Sequence, residues 1–192
     1  MTTSGRIQLL RADERPATPW LNGGGVTREV AGFPAGAALD GFDWRVSLAD
    51  VASAGPFSRF PGIDRVITLV EGAGMALTVD GGEQVIDAPF RPFAFAGDAA
   101  TDCRLLGGPV VDFNVMTRRG RVEATVDLLG APGPLAVPPA ATVLLVCVAG
   151  SATLDGTELA RFDAALLAAP GPYRLLPSDG GVCAAVTFHP AR

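Results

Sequence analysis

Strict alternation of apolar and polar residues marks two stretches of this chain. Asp43-Trp44-Arg45-Val46-Ser47-Leu48 is one and Val111-Asp112-Phe113-Asn114-Val115-Met116 is the other. On a strand, successive side chains point to opposite faces. Arg45, Ser47 and Ala49 then share a face opposite Trp44, Val46 and Leu48. Asp112, Asn114 and Met116 likewise share a face opposite Val111, Phe113 and Val115. Arg65 to Val70 and Met75 to Val79 flank Glu71-Gly72-Ala73-Gly74, a hairpin signal, and Asp80-Gly81-Gly82 marks another tight turn. Val143 to Val148 is a short β-branched run ending near Gly150. No segment carries a sustained helical stripe, so the elements predict an all-β sandwich or barrel.

Part of the pattern repeats. Leu69 to Glu83 reads strand, glycine turn, strand, Asp-Gly turn, strand, and Cys147 to Glu158 reads the same way. Two copies of one β unit predict two barrels. The link is placed in the Gly/Pro-rich segment Gly130 to Pro139, giving a first barrel over 1–129 and a second over 130–192. A Gly/Pro-rich loop inside a single sandwich is the competing reading.

Composition narrows the chemistry. Hydrophobic residues at 48% of 192 provide for a core and argue against a disordered chain. No run reaches the roughly 18 apolar residues of a membrane helix. The leading MTTSGRIQLLRADERP carries charges where a signal peptide needs apolar residues, so a soluble cytoplasmic protein without membrane partners is expected. A net charge of −5 offers nucleic acid no attraction. All 15 basic residues are Arg, which leaves no lysine for Schiff-base chemistry. The one histidine, His189, stands near the C-terminus, so a histidine-held metal is excluded and a His-dependent triad would need that terminal residue; an all-oxygen Mg²⁺ or Ca²⁺ site stays open, although no spacing resembles a calcium loop. Cys103, Cys147 and Cys183 are scattered and read as buried small hydrophobes. No cofactor is expected. Carboxylate acid–base chemistry by Asp64, Asp98 or Asp112 stays open.

Polar residues interrupt the apolar pattern in four places. Trp20-Leu-Asn22-Gly-Gly-Gly25 precedes Thr27, Arg28 and Glu29; the glycines permit close backbone approach to a ligand or simply a turn. The polar faces of the two alternating stretches face solvent or a pocket. The fourth place, Gly55-Pro-Phe57-Ser-Arg-Phe60-Pro-Gly-Ile-Asp64-Arg65, is either a surface loop held by an Asp64–Arg65 pair or a pocket rim presenting an arginine to an anion.

Together these four motifs, with Gly55-Pro-Phe-Ser58 and Asp112-Phe-Asn114-Val-Met116 in matching order, resemble the HutD/Ves family. The resemblance is dense from Trp20 to Arg119 and loose beyond. It implies a double cupin, or bicupin: two β-barrels in one chain, without the histidine signature of metal cupins. It implies a metal-free protein that binds a carboxylate intermediate of histidine catabolism, urocanate or N-formylglutamate, and regulates histidine utilisation. Homodimerisation is expected by analogy.

Inside a barrel, alternate residues point inward. On that reading Arg45, Ser47, Asp112, Asn114 and Met116 line the first barrel. Arg28 and Arg65 join from its entrance, Trp20, Phe57 and Phe60 wall it, and Asn22 belongs to the ligand-binding set. Asp64 and Asp112 would hold the arginines while the site is empty. The same charges could instead form a fixed internal network. Two further functions compete with ligand sensing: a metal-free isomerase or hydrolase with an Asp base, and a regulator docking a protein through Phe57 and Phe60. The second barrel, poor in polar groups, is assigned to structure or dimerisation.

Overall fold

The computed structural model describes residues 6–191. Met1–Gly5 of the leading stretch, and Arg192, lie outside the described residues. In chain order the first strands are β1 (Ile7–Leu10), β2 (Thr18–Pro19), β3 (Gly25–Phe33), β4 (Trp44–Val51), β5 (Gly55–Pro56) and β6 (Ile63–Glu71). Then come β7 (Met75–Val79), β8 (Gly82–Ile86), β9 (Pro92–Ala96), β10 (Thr101–Leu105), β11 (Val110–Arg118) and β12 (Val122–Leu129). The last are β13 (Gly133–Val137), β14 (Thr142–Ala149), β15 (Ala152–Leu154), β16 (Thr157–Leu159), β17 (Ala164–Leu167), β18 (Gly171–Pro177) and β19 (Val182–Pro190). The described residues contain no helix, and hence none long and apolar enough to cross a membrane.

The strands fall into two units. One comprises Pro16–Arg121; the other comprises the chain up to Arg15 and from Val122 onwards. In the first, a six-stranded sheet runs β2-β3-β4-β11-β6-β9 and a four-stranded sheet runs β5-β10-β7-β8. In the second, a five-stranded sheet runs β1-β17-β14-β19-β12 and a four-stranded sheet runs β13-β18-β15-β16. Strand for strand, β4–β11 of the first unit and β12–β19 of the second have the same neighbours. The Asp-Gly turns also coincide: Asp80 and Gly81 stand at φ 46° and 86°, Asp155 and Gly156 at 46° and 79°. Positive φ at both central residues is the type I′ geometry that matches strand twist. The repeated sequence pattern is thus a repeated fold, the double cupin.

The domain boundary differs from the expected Gly130. β12 takes in the second unit the place that β4 takes in the first, pairing with β19 along eight residues. β1 likewise pairs with β17, so Ile7–Leu10 belongs to the second unit. The Gly130–Pro139 segment is not merely a link. Its residues 133–137 form β13, burying Leu135 and Val137 while Pro134 and Ala136 stay exposed. β13 is an edge strand, where a proline's missing N–H costs no ladder bond.

Each unit has its own apolar core. The second is filled by residues such as Leu145, Leu154, Leu167 and Tyr173. The first is filled by Val51, Ile67, Leu69, Met75 and Leu77, with Trp20, Phe57, Phe93 and Phe95 packed against it. Both faces of β4 and β11 are buried: Val46 and Phe113 on one, Ser47 and Asp112 on the other. Burial of the polar face is what makes the first unit the place to look for chemistry.

Candidate ligand-binding site

Register fixes which side chains share the inner face. Across β11, Asp112 stands opposite Ala49 and Leu69, Asn114 opposite Ser47 and Ile67, and Met116 opposite Arg45 and Arg65. Further out, Arg65 faces Phe95 and Ile67 faces Phe93 on β9, while Ser47 faces Glu29 and Ala49 faces Thr27 on β3. Directly opposed residues point the same way. One face of this sheet therefore brings together Arg45, Ser47, Arg65, Asp112 and Asn114 among apolar neighbours.

Arg65 is the centre of the cluster. It is only 7% exposed, and its Nε and Nη2 donate to Asn114 Oδ1 at 3.3 and 3.2 Å. Phe57, Phe60 and Phe95 surround the guanidinium with ring centroids 5.4, 5.7 and 5.0 Å away. Aromatic faces attract a cation most strongly where water is excluded. Burial lowers the Arg65 pKa to about 10, with Asp112 opposing the drop and Arg45 adding to it; the side chain stays charged at neutral pH. Among the described residues Nη1 makes no hydrogen bond. A single neutral acceptor thus answers a buried cation.

Asp112 is the second unusual group. It is 2% exposed, and no described side chain bonds or ion-pairs its carboxylate within 4 Å. Burial pushes its pKa up to about 7; Arg65 pulls it down and Asp50 pushes it further up. Cys103, whose thiol is raised to about 11 chiefly by burial and then by Asp112, lies on the same side. Ser47, 2% exposed, also makes no hydrogen bond among the described residues. Asn114 spends its oxygen on Arg65, which leaves its amide N–H groups to donate.

Trp20 closes one side. Its Nε1 donates to Thr27 Oγ1 at 2.7 Å, and its ring meets Phe57 edge-on at 6.1 Å. Gly25 makes that placement feasible: a Cβ there would lie 2.5 Å from Asp50 O and 3.2 Å from the Trp20 ring. Close packing against Trp20 and the β4 backbone accounts for this member of the glycine run.

Other expected site residues stand elsewhere. Arg28 pairs in register with Leu48, on the opposite face from Ser47, and forms an ion pair with Asp50. Asn22 is exposed, and its Oδ1 accepts from Gly24 N at 3.0 Å, bracing the turn. Met116 shares the inner face but packs with Phe42 and Ile63 beyond Arg65. Arg45 binds Glu29 at 2.7 Å rather than the central cluster. Asp64 does not hold Arg65: neighbours on a strand diverge, and Asp64 binds Arg119, which also takes Asp98. Thr27 and Glu29 belong to the first motif but are not among the expected ligand-binding residues, and neither is Phe95, although the Phe93-Ala-Phe95 alternation carries its signal. A separate open groove of about 560 Å³ in the second unit is lined by Pro132, Pro134, Asp155, Pro172, Tyr173 and Arg174. Its Asp155 is committed to the backbone N–H of Arg174 at 2.7 Å. Among the described residues no three His, Cys, Asp or Glu side chains gather as a metal set.

Known proteins resemble this chain in sequence and fold. The family model described as HutD matches residues 12–184. An uncharacterised 21.2 kDa protein in the hutC 3′ region of Pseudomonas putida is 40% identical over 158 residues, covering 81% of this chain and 82% of that protein. Protein Ves of Citrobacter koseri is 43% identical over 112 residues, 58% of each chain. HutD from Pseudomonas fluorescens SBW25 superposes with a TM-score of 0.84 at 35% identity, covering 97% of this chain and all of that one. At 8% identity, oxalate decarboxylase of Lactobacillus farciminis, with a TM-score of 0.65 over 98% of this chain and 87% of its own, shares the cupin fold alone. A match from residue 12 to 184, with a solved HutD of the same fold, means that this chain belongs to the HutD family.

Proposed function

We propose that this protein binds a small carboxylate of histidine catabolism, urocanate or N-formylglutamate, in the first barrel without a metal, and so regulates histidine utilisation. The observation that carries this reading is the buried Arg65, whose guanidinium has, among the described residues, Asn114 Oδ1 as its one hydrogen-bond acceptor and no carboxylate within ion-pair distance. A carboxylate supplies two acceptor oxygens to a guanidinium. Asn114 N–H and Ser47 O–H are placed on the same face to complete its shell. Phe57, Phe60 and Trp20 exclude water, which strengthens each of these bonds. HutD of Pseudomonas fluorescens was solved in a formate condition, and formate is a convenient minimal probe. The pathway assignment draws on the relative in a hutC 3′ region.

The test is a thermal-shift titration with urocanate, N-formylglutamate and formate. One of the two larger acids is expected to raise the melting temperature of the native protein and not of Arg65→Ala. No shift with any carboxylate would contradict the reading.

A second reading, a metal-free isomerase or hydrolase, is favoured by the burial of Asp112 on the inner face without a described donor on its carboxylate, which pushes its pKa up to about 7, the range of a general acid or base. Turnover of a pathway acid that disappears in Asp112→Asn would establish it. Docking of a protein through Phe57 and Phe60 is less well supported, since both rings are half-buried against Arg65.

A further inference from the structure

The carboxylate-binding reading leaves Asp112 unexplained, because a second anion beside Arg65 should repel the ligand. The surroundings of Asp112 resolve this. Its direct neighbours across the ladders are Ala49 and Leu69, both buried and apolar. No described donor reaches its carboxylate, and Arg65 is not within ion-pair distance. An ionised carboxylate in such a place is costly, whereas the neutral acid needs one acceptor for its O–H.

The charged and titratable groups around it come from four strands. β6 brings Arg65 and, at its exposed end, Glu71. β4 brings Arg45 and Asp50, and β3 brings Glu29. β10 brings Cys103, whose raised thiol is neutral. Arg45 is taken by Glu29, and Asp50 by Arg28. Among the described residues Arg65 is therefore the one cation on the inner face not matched by a carboxylate within ion-pair distance, and of these groups it favours the ionised form of Asp112.

We infer that Asp112 receives the ligand as a neutral acid, so that each bound anion is accompanied by one proton taken from solvent. This inference rests on the binding reading above. When a carboxylate settles on Arg65, the charge that favoured ionised Asp112 is neutralised and a new negative charge arrives. Both changes drive Asp112 to protonate. A proton from solution adds to one carboxylate oxygen, and the resulting O–H donates to the ligand; no ligand bond forms or breaks. Asp112 then joins Arg65, Asn114 and Ser47 as a fourth donor. With a starting pKa of about 7, the proton is half present at neutrality and must be acquired at higher pH.

The experiment is calorimetric titration of the full chain with sodium formate, in two buffers of different ionisation enthalpy. Formate stays ionised throughout. At about pH 8 the buffer dependence is expected to give close to one proton taken up per formate bound, and the affinity to fall about tenfold per pH unit above that point. Asp112→Asn is expected to bind with no proton uptake and a flat profile. Formate binding with no proton uptake at pH 8 overturns the proton inference while leaving the binding reading standing. The same uptake in Asp112→Asn also overturns it. No formate binding at any pH overturns the proton inference, and no binding of formate, urocanate or N-formylglutamate overturns both. The buffer comparison on the native chain is decisive even if the variant does not fold.

Discussion

Arg65 reaches diagonally across the β6–β11 ladder and gives two of its N–H donors to one oxygen, Oδ1 of Asn114. That contact orients the guanidinium without neutralising it. Asn114→Ala leaves a buried arginine short of its acceptor, at a cost of roughly 1–3 kcal/mol. Asn114→Asp supplies instead the anion that the site lacks. It is expected to keep the fold and to abolish any formate-induced rise in melting temperature, because the carboxylate position is filled from within. Thermal melts of both variants with and without formate test this. A full formate response in Asn114→Asp would show that ligand binding does not use Arg65.

The pH dependence of stability should report Asp112 directly. Its carboxyl lies at about 7 in the folded chain, against 3.8 ordinarily. Between those values the folded state holds a proton that the unfolded state has released. Stability from this group is therefore full below about pH 4 and declines as pH rises towards 7, then levels off. The slope is at most about 1.4 kcal/mol per pH unit. Denaturant unfolding of Asp112→Asn, compared with the native chain from pH 5 to 9 or so, is expected to show a variant that gains relative stability as pH rises. Parallel curves would mean that Asp112 is ionised in the fold across this range.

The aromatic cover makes its own prediction. Phe57 lies 5.4 Å from the Arg65 guanidinium and meets Trp20 edge-on. Phe57→Leu keeps apolar volume but removes the ring face, at a cost of about 0.5–2 kcal/mol. It also lets water onto Arg65, so carboxylate affinity should weaken several-fold without loss of the fold. Calorimetry and a thermal melt on one variant separate the two effects.

Arg28→Ala serves as the contrast. Arg28 lies on the other sheet face in a half-exposed pair with Asp50. Such pairs contribute about 0–1 kcal/mol. The variant should melt close to the native chain and respond to carboxylates in full, which a side-by-side melt would show.

Much of this was legible in the chain because strand periodicity is local. Alternation alone put Ser47 with Arg45, and Asp112 with Asn114, on shared faces. The Asp-Gly turns announced the repeat, since few residues other than Gly, Asn and Asp accept positive φ there. Register was not legible. Arg28 and Glu29 are adjacent, and only the pairing of Glu29 with Ser47, next to a bulge at Val30, decides that the exposed Glu29 shares the face of Ser47. Arg65 and Asp64 posed the same choice, and β11 settles it by placing Arg65 opposite Met116. Asn22 looked chemical because its turn hydrogen bond to Gly24 has no signature distinct from ligand binding. The strand at 133–137 was hidden by prolines that only an edge position tolerates.

The central claim is that Arg65 is held ready for a carboxylate. Calorimetric titration of the native chain and of Arg65→Ala with urocanate and N-formylglutamate at neutral pH tests it most directly. Saturable binding of one of these acids to the native chain is expected, and none to a folded Arg65→Ala. Equal binding to both proteins, or none to the native chain, would contradict it.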